Sequence, residues 1–221
     1  VYGDAVPPVA IRFPGGEELR REDDLDAALS EFVGAPLHLS PLEPPENREH
    51  YRWQTPADYD AILKTLGIQP DEPPPELSVY DENLIELVTE YFAPPGTYND
   101  LFPVHALTTS SIEHMQRQSG ERFPVERFRP SFLIETLDND AGLVEFEWVG
   151  KKLKIGDSVF GVEAKTIRCS MPSGGQVPYD LSPNPAIAKS LFAETRRFFG
   201  AYLSVIEPGK VHVDDAVMLV D

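Results

Sequence analysis

The sequence contains a single cysteine, Cys169, in 221 residues. One thiol cannot close an internal disulfide, which excludes a disulfide-built secreted scaffold. No apolar run approaches the ~20 residues of a membrane-spanning helix, and no secretory signal stands at Val1. A cytoplasmic location is the resulting expectation. Bases are scarce, 19 against 37 acids, for a formal charge of −18. That balance opposes binding to a nucleic-acid backbone or an anionic membrane. His38, His50, His105, His114 and His212 are scattered, with no HxxxH or HExxH pair and no second cysteine, so a zinc site is not expected. No GxGxxG or P-loop occurs, and no Ser/His/Asp set is recognisable by spacing. Core-forming residues are plentiful: 41% of the chain is hydrophobic, including 12 Phe, 8 Tyr and 2 Trp.

The charge is unevenly spread. Residues 1–100 carry 21 acids and 6 bases, and residues 101–221 carry 16 acids and 13 bases. Proline divides the same way, 14 before residue 101 and 8 after. An acidic, Pro-rich portion over 1–93 therefore precedes a better balanced portion over 94–221. In the first, Val9–Phe13 reads as a strand turned by Pro14-Gly15-Gly16. Asp23 or Asp24 caps a helix through Leu25–Val33, which Gly34 ends. Leu37–Ser40 reads as a short strand. Pro56 starts a helix over Tyr59, Ile62, Leu63 and Leu66. Pro70–Pro75 breaks the pattern, and Asp81–Phe92 is amphipathic and helical.

In the second portion, Phe102–Thr108 is extended, and Thr109–Gln118 is a helix capped by Thr108 or Thr109. Ser131–Glu135 reads as a strand, and Leu143–Val149 alternates. Lys151–Ile155 and Ser158–Ala164 are strands around a Gly156-Asp157 turn. Residues 170–183 form a loop, and Pro185–Phe199 is a helix ending at Gly200. Tyr202–Ile206 and Val211–Val220 are closing strands around Pro208-Gly209. Many short strands with Gly or Pro turns predict a mainly β, α+β architecture: a closed or half-closed barrel with short helices outside.

Three clusters could carry chemistry. Lys165-Thr166-Ile167-Arg168-Cys169 leaves a strand and enters a Gly-rich loop. An arginine beside a cysteine favours the thiolate, a nucleophile and soft metal ligand. A lone cysteine is otherwise an inert buried one. In Arg127-Phe128-Arg129-Pro130, two guanidinium groups flank an aromatic, suited to carboxylate or phosphate; ordinary surface charge is the alternative. Thr108-Thr109-Ser110-Ser111 opens a helix and offers donors to an anion, or simply caps it.

In order and spacing these pieces resemble the MOSC domain, named for the C-terminal region of molybdenum cofactor sulfurases. The resemblance runs from Pro95-Gly96 and Asp100 through Phe102–Ile112 and Arg127–Pro130. It continues through Trp148-Val149-Gly150, Leu153–Asp157, Thr166–Cys169 and Asp180, then Gly200-Ala201-Tyr202, Pro208-Gly209 and Val213–Val217. It implies a MOSC-like β-barrel with short peripheral helices that binds a molybdopterin-type molybdenum cofactor. Cys169 would be the metal ligand or sulfur carrier. Arg129 and Arg168 would hold the pterin or its phosphate, and Thr108 and Ser111 would add hydrogen bonds. Asp180 would line the opening near the metal. Ser131 stands where family members usually carry Asn after Arg-Pro, and a shorter side chain there loses one hydrogen bond to the ligand. The family's opening Pro-Val-Lys-Ser and Gly-Asp-Arg type motifs do not occur before Val9, which suggests that a first segment precedes the sequence given.

Three functions follow as expectations. The first is a molybdenum-dependent oxidoreductase acting on a small molecule, with a separate reductase as electron donor because no flavin or iron–sulfur motif is present. The second is a sulfurtransferase carrying a persulfide on Cys169. The third is a non-catalytic barrel serving as a binding module.

Overall fold

The computed structural model describes residues 9–20, 24–53, 60, 63–64, 66–68, 72, 76–137 and 141–220. The expected helix starting at Pro56 and the segment Pro70–Pro75 fall largely outside these residues. The chain divides into two units, Val1–Pro44 and Pro45–Asp221.

In the first unit, β1 (Ala10–Arg12) and β2 (Glu18–Arg20) pair antiparallel. The second strand of this hairpin gave no sequence signal, since Glu-Leu-Arg is too short to show a period. Helix α1 (Leu25–Val33) starts where Asp24 accepts from the Ala27 N–H at 3.0 Å. It stops at Gly34, whose N–H donates to the Ser30 carbonyl. Leu37–Ser40 is not a strand. Its backbone donors go to α1 side chains instead: the Leu37 N–H to Ser30 Oγ and the Leu39 N–H to Asp26 Oδ1. Side-chain acceptors of this kind compete with ladder formation.

In the second unit, short α2 (Arg48–Tyr51) and α3 (Glu82–Glu90) precede the sheet. Asp81 caps α3 by accepting from the Leu84 N–H at 2.8 Å. Then follow β3 (Val104–Thr108), α4 (Thr109–Ser119), β4 (Phe132–Ile134), β5 (Lys152–Ile155) and β6 (Ser158–Ile167). Helix α5 (Ala186–Thr195), β7 (Phe198–Glu207) and β8 (Val217–Val220) complete the chain. Six strands form one mixed sheet in the order β4-β3-β7-β6-β5-β8. Only β3 and β4 are parallel. The β6–β7 ladder shifts register three times. Such bulges increase twist and bend the strands, so the sheet curls into a half-barrel, as the strand pattern predicts.

Three predicted elements of this unit differ. The closing strand expected over Val211–Val220 is confined to Val217–Val220, because residues 212–215 make a turn in which the Asp215 N–H donates to the His212 carbonyl and Asp214 takes a positive φ of 71°. Leu143–Val149 alternates but forms a 3-10 turn over Val144–Trp148. The helix expected over 185–199 ends at Thr195, because Arg196 and Arg197 take positive φ of 52° and 70°. The apolar pair Phe198-Phe199 therefore begins a strand instead of extending the helix.

Apolar side chains fill both sides of the bend. Ala106, Leu153, Phe160, Val162 and Leu203 pack inside the curl. Leu107, Met115, Phe123, Phe128, Ile187, Leu191 and Phe199 join α4 and α5 to the sheet. Burying each of the larger ones contributes about 1.5–3 kcal/mol.

Candidate functional site

The alternation of β6 decides what its last residues present. Ala164, Thr166 and Arg168 point inward and are buried, while Lys165, Ile167 and Cys169 are only partly covered. The Arg168 N–H donates to the Arg197 carbonyl at 2.8 Å, extending the ladder beyond the strand. The guanidinium then turns back under the sheet. Its Nη2 donates to the Phe128 carbonyl at 2.8 Å, and its Nη1 lies 3.4 Å from His105 Nε2. It also stands over the Phe128 ring, 5.4 Å from the centroid. Cys169 follows at the rim. Its Sγ lies 3.5 Å from the Met171 N–H, which points at it.

The two arginines around Phe128 part company. Arg127 is buried and Arg129 is exposed. The cause is local: the turn Val125–Arg127 ends in Phe128, and Arg129 takes a positive φ of 50°. A non-glycine residue in that region carries strain of about 1 kcal/mol or more. Among the described residues the Arg129 guanidinium has no ion pair. It lines an open groove of about 400 Å³ with Val125, Glu126, Pro130, Leu133 and Tyr179. Asp180 follows Tyr179 with a φ of 52° and is exposed. The groove thus joins the Arg129 turn to the loop that follows Cys169.

The hydroxyl cluster is committed inward. Thr108 caps α4, accepting from the Ser111 N–H at 3.2 Å. Its hydroxyl donates to Glu145 Oε2 at 2.7 Å, and the Ser111 hydroxyl donates to the same oxygen at 2.5 Å. Glu145 is fully buried, and among the described residues its Oε1 makes no hydrogen bond of good geometry, the Glu145 and Gly200 backbone N–H groups being the donors that act on the carboxyl. Burial pushes this carboxyl above its ordinary range, against the pull of the Ser111 and Thr108 hydroxyls. Ser131 is also occupied: its N–H donates to the His105 carbonyl at 2.7 Å and its Oγ accepts from the His105 N–H at 3.2 Å. It clasps β3 to β4. Of the residues singled out from sequence, Cys169, Arg129 and Asp180 reach the surface, Arg168 backs Cys169, and Thr108, Ser111 and Ser131 serve the framework.

Sequence reasoning missed His105 and Glu145. Burial, and then the charge of Arg168, pull His105 down to about 3. The ring is therefore neutral at pH 7, and its Nε2 accepts from Arg168. A histidine lowered on folding binds fewer protons in the native state than in the unfolded chain, where it titrates near ~6.5. Its contribution is present above that value and is lost as pH falls through the window toward 3. His105→Gln should therefore lose less stability than wild type between pH 7 and pH 5, by about 1–2 kcal/mol. Urea midpoints at the two pH values measure it, and equal losses would refute the assignment.

Burial also pulls the Arg168 guanidinium below its ordinary value, with Tyr202, Cys169 and Asp100 acting in the opposite sense. Tyr202 donates to Asp100 Oδ2 at 3.4 Å and is raised by burial. Arg197, at 2% exposure, pairs with Glu72. The turn at Gly67 abuts the Cys169 loop: a Cβ there would lie 2.4 Å from Ser170 Oγ. Among the described residues, no group of three or more His, Cys, Asp or Glu side chains could hold a metal ion, and no helix is long and apolar enough to cross a membrane.

A family model, the MOSC domain, matches residues 95–218, more than half of the chain. The chain belongs to the MOSC domain family. Solved structures similar to this MOSC chain include YiiM from Geobacillus stearothermophilus, at 17% identity and a TM-score of 0.39, covering 53% of this chain and 54% of that one. YuaD from Bacillus subtilis aligns at 16% identity and a TM-score of 0.43, covering 55% and 66%. YiiM from Escherichia coli aligns at 21% identity and a TM-score of 0.39, covering 59% of each chain. The aligned region thus spans between half and two thirds of those proteins. No curated protein matches the chain.

Proposed function

We propose that this MOSC protein is a cytoplasmic oxidoreductase that binds a molybdopterin-type molybdenum cofactor through Cys169. The observation that carries the reading is the placement of Cys169: partly exposed at the end of β6, with buried Arg168 behind it and the Met171 N–H aimed at its sulfur. Thiolate is a soft ligand suited to such a metal. The strained Arg129, without an ion pair among the described residues and beside a groove of about 400 Å³, suits an anionic group on an organic ligand.

The residues fit the group in part. Cys169 would hold the metal, Arg129 the phosphate end, and Asp180 would line the approach. Arg168 supports the site through its position behind Cys169. Thr108, Ser111 and Ser131 have their polar atoms engaged elsewhere and contribute by fixing β3, β4 and α4. A bound cofactor of this type supplies two-electron oxygen-atom chemistry, with electrons from a separate reductase. The chain's own residues close the Arg168 side and leave the sulfur partly open, while Cys169 itself does not line the Arg129 groove, so a cofactor held by both would lie across the 170–182 loop.

A second reading has the same anchor. A partly exposed thiol facing the Met171 backbone N–H also suits a persulfide, which would make Cys169 a sulfur carrier. The test is elemental. Protein from a cofactor-producing host should carry molybdenum and release an oxidised pterin, and Cys169→Ala should lose both. Cyanide-releasable sulfur on Cys169 without stoichiometric metal would replace the first reading with the second. Neither signal would leave a non-catalytic binding module.

A further inference from the structure

Arg127 is 5% exposed, yet no carboxylate pairs with it among the described residues. Its guanidinium donates to three backbone carbonyls instead. Nη1 reaches the Pro172 oxygen at 2.9 Å and the Gly174 oxygen at 3.0 Å. Nη2 reaches the Ser182 oxygen at 2.7 Å. The Arg127 carbonyl in turn accepts from Gln176 Nε2 at 3.3 Å. These contacts touch the beginning, middle and end of the loop between Cys169 and α5.

A buried cation without a counter-charge is costly. Its retention needs a return, and the geometry shows one. The loop's own hydrogen bonds are local, in turns over Met171–Ser173 and Val177–Tyr179, the Gln176–Leu181 bridge, and the Asn184 N–H to the Ser173 carbonyl at 2.8 Å, and none of these ties it to the turn that carries Arg127. A flat fork with fixed donor directions gathers three distant carbonyls as a single flexible ammonium does not. The same loop carries the Met171 N–H that faces Cys169 and the Tyr179 wall of the groove.

We infer that Arg127 is the positioning residue of this site: it holds the 170–182 loop in the one arrangement that sets access to Cys169 and the shape of the Arg129 groove. The inference rests on Cys169 being the reactive residue, but not on what Cys169 binds. It separates two arginines that the Arg-Phe-Arg sequence presents as equivalent: Arg129 meets ligand, and Arg127 shapes the place where ligand is met.

The experiment uses Arg127→Lys, Arg127→Met and the milder Gln176→Ala in the full chain. Cys169 is the only thiol, so its alkylation by iodoacetamide reads a single site. Native-state amide exchange reads the loop separately from the sheet. In both Arg127 variants the amides of Ser173, Gly174, Gln176 and Asn184 should exchange at least tenfold faster, with the β6–β7 amides unchanged. Alkylation of Cys169 should change at least fivefold, and lysine should fail to rescue either. Gln176→Ala should shift the same amides about threefold. Unchanged loop exchange and alkylation in the Arg127 variants would overturn the inference. So would acceleration spread equally over loop and sheet, or full rescue by lysine. If Arg127→Met does not fold, no loop response in Arg127→Lys and Gln176→Ala overturns it as well. None of these readouts uses a metal, so absence of molybdenum would sink the proposed function and leave this result standing.

Discussion

Gly200→Ala should destabilise the protein by about 2–5 kcal/mol, the largest loss expected from adding one methyl group anywhere in the sheet. Gly200 sits at a register shift of the β6–β7 ladder with a φ of 93°. A Cβ there would stand 2.2 Å from His105 Nε2 and 2.7 Å from the Ala106 carbonyl oxygen. Neither neighbour can yield cheaply. Ala106 is in the β3–β7 ladder. His105 is held between Arg168 and the carbonyls of Phe128, Arg129 and Phe199. The backbone conformation alone costs an alanine about 1–2 kcal/mol, and overpacking adds about 1–3 kcal/mol. Gly120→Ala is the control: φ is 71°, but nothing lies within 4 Å of the added methyl. It should lose only the backbone share. Urea denaturation of both variants gives the comparison, and equal losses would show that the His105 contact is not the cause.

The second large effect concerns Glu145. Glu145→Ala removes the acceptor of two buried hydroxyls and opens a void behind α4. Each of the two buried hydroxyls left unpaired costs about 1–3 kcal/mol, so a loss of about 2–6 kcal/mol is expected near pH 4 and a smaller one at pH 8, where the buried charge is itself a cost to wild type. Glu145→Gln keeps an oxygen for Thr108 and Ser111 and removes the charge. A carboxyl raised on folding gives its full contribution below the unfolded value, near ~4.3, and that contribution is lost as pH rises through the folded value. Wild type therefore carries an uncompensated cost at pH 8 that Glu145→Gln does not. The glutamine variant should equal or exceed wild-type stability at pH 8 and fall below it near pH 4. Thermal midpoints at both pH values decide the matter. A glutamine variant as unstable as the alanine variant at pH 8 would mean that Oε1 has a partner.

The strands and the site were legible to different degrees. The Gly156-Asp157 turn between Lys151–Ile155 and Ser158–Ala164 marked β5 and β6 within three residues of their ends, because a half-buried hairpin shows both its turn and its flanking apolar runs. Asp81 and Thr108 marked their helix starts through their side-chain caps. The end of α5 left no trace, since Arg196 and Arg197 take conformations that sequence normally reserves for glycine. Glu145 was hidden because an acid in an exposed-looking stretch signals solvent, and only the fold places it over two hydroxyls. The Arg-Phe-Arg motif was found, but its division into a buried and an exposed member depends on the positive φ of Arg129. The parity of β6 could have been read: with Ala164 and Thr166 inside, Arg168 must follow them and Cys169 must not.

The three buried arginines have one more consequence. Residues 45–221 carry 28 acids and 16 bases, yet Arg127, Arg168 and Arg197 are among the most enclosed charged groups. Withdrawing these three cations leaves the solvent-facing side chains of this unit more acidic than the count alone states. Arg129 differs from them in being exposed. The attraction it offers an anion is therefore local, and binding of a polyanion there should strengthen as salt screens the surrounding acids over a Debye length of about 10 Å.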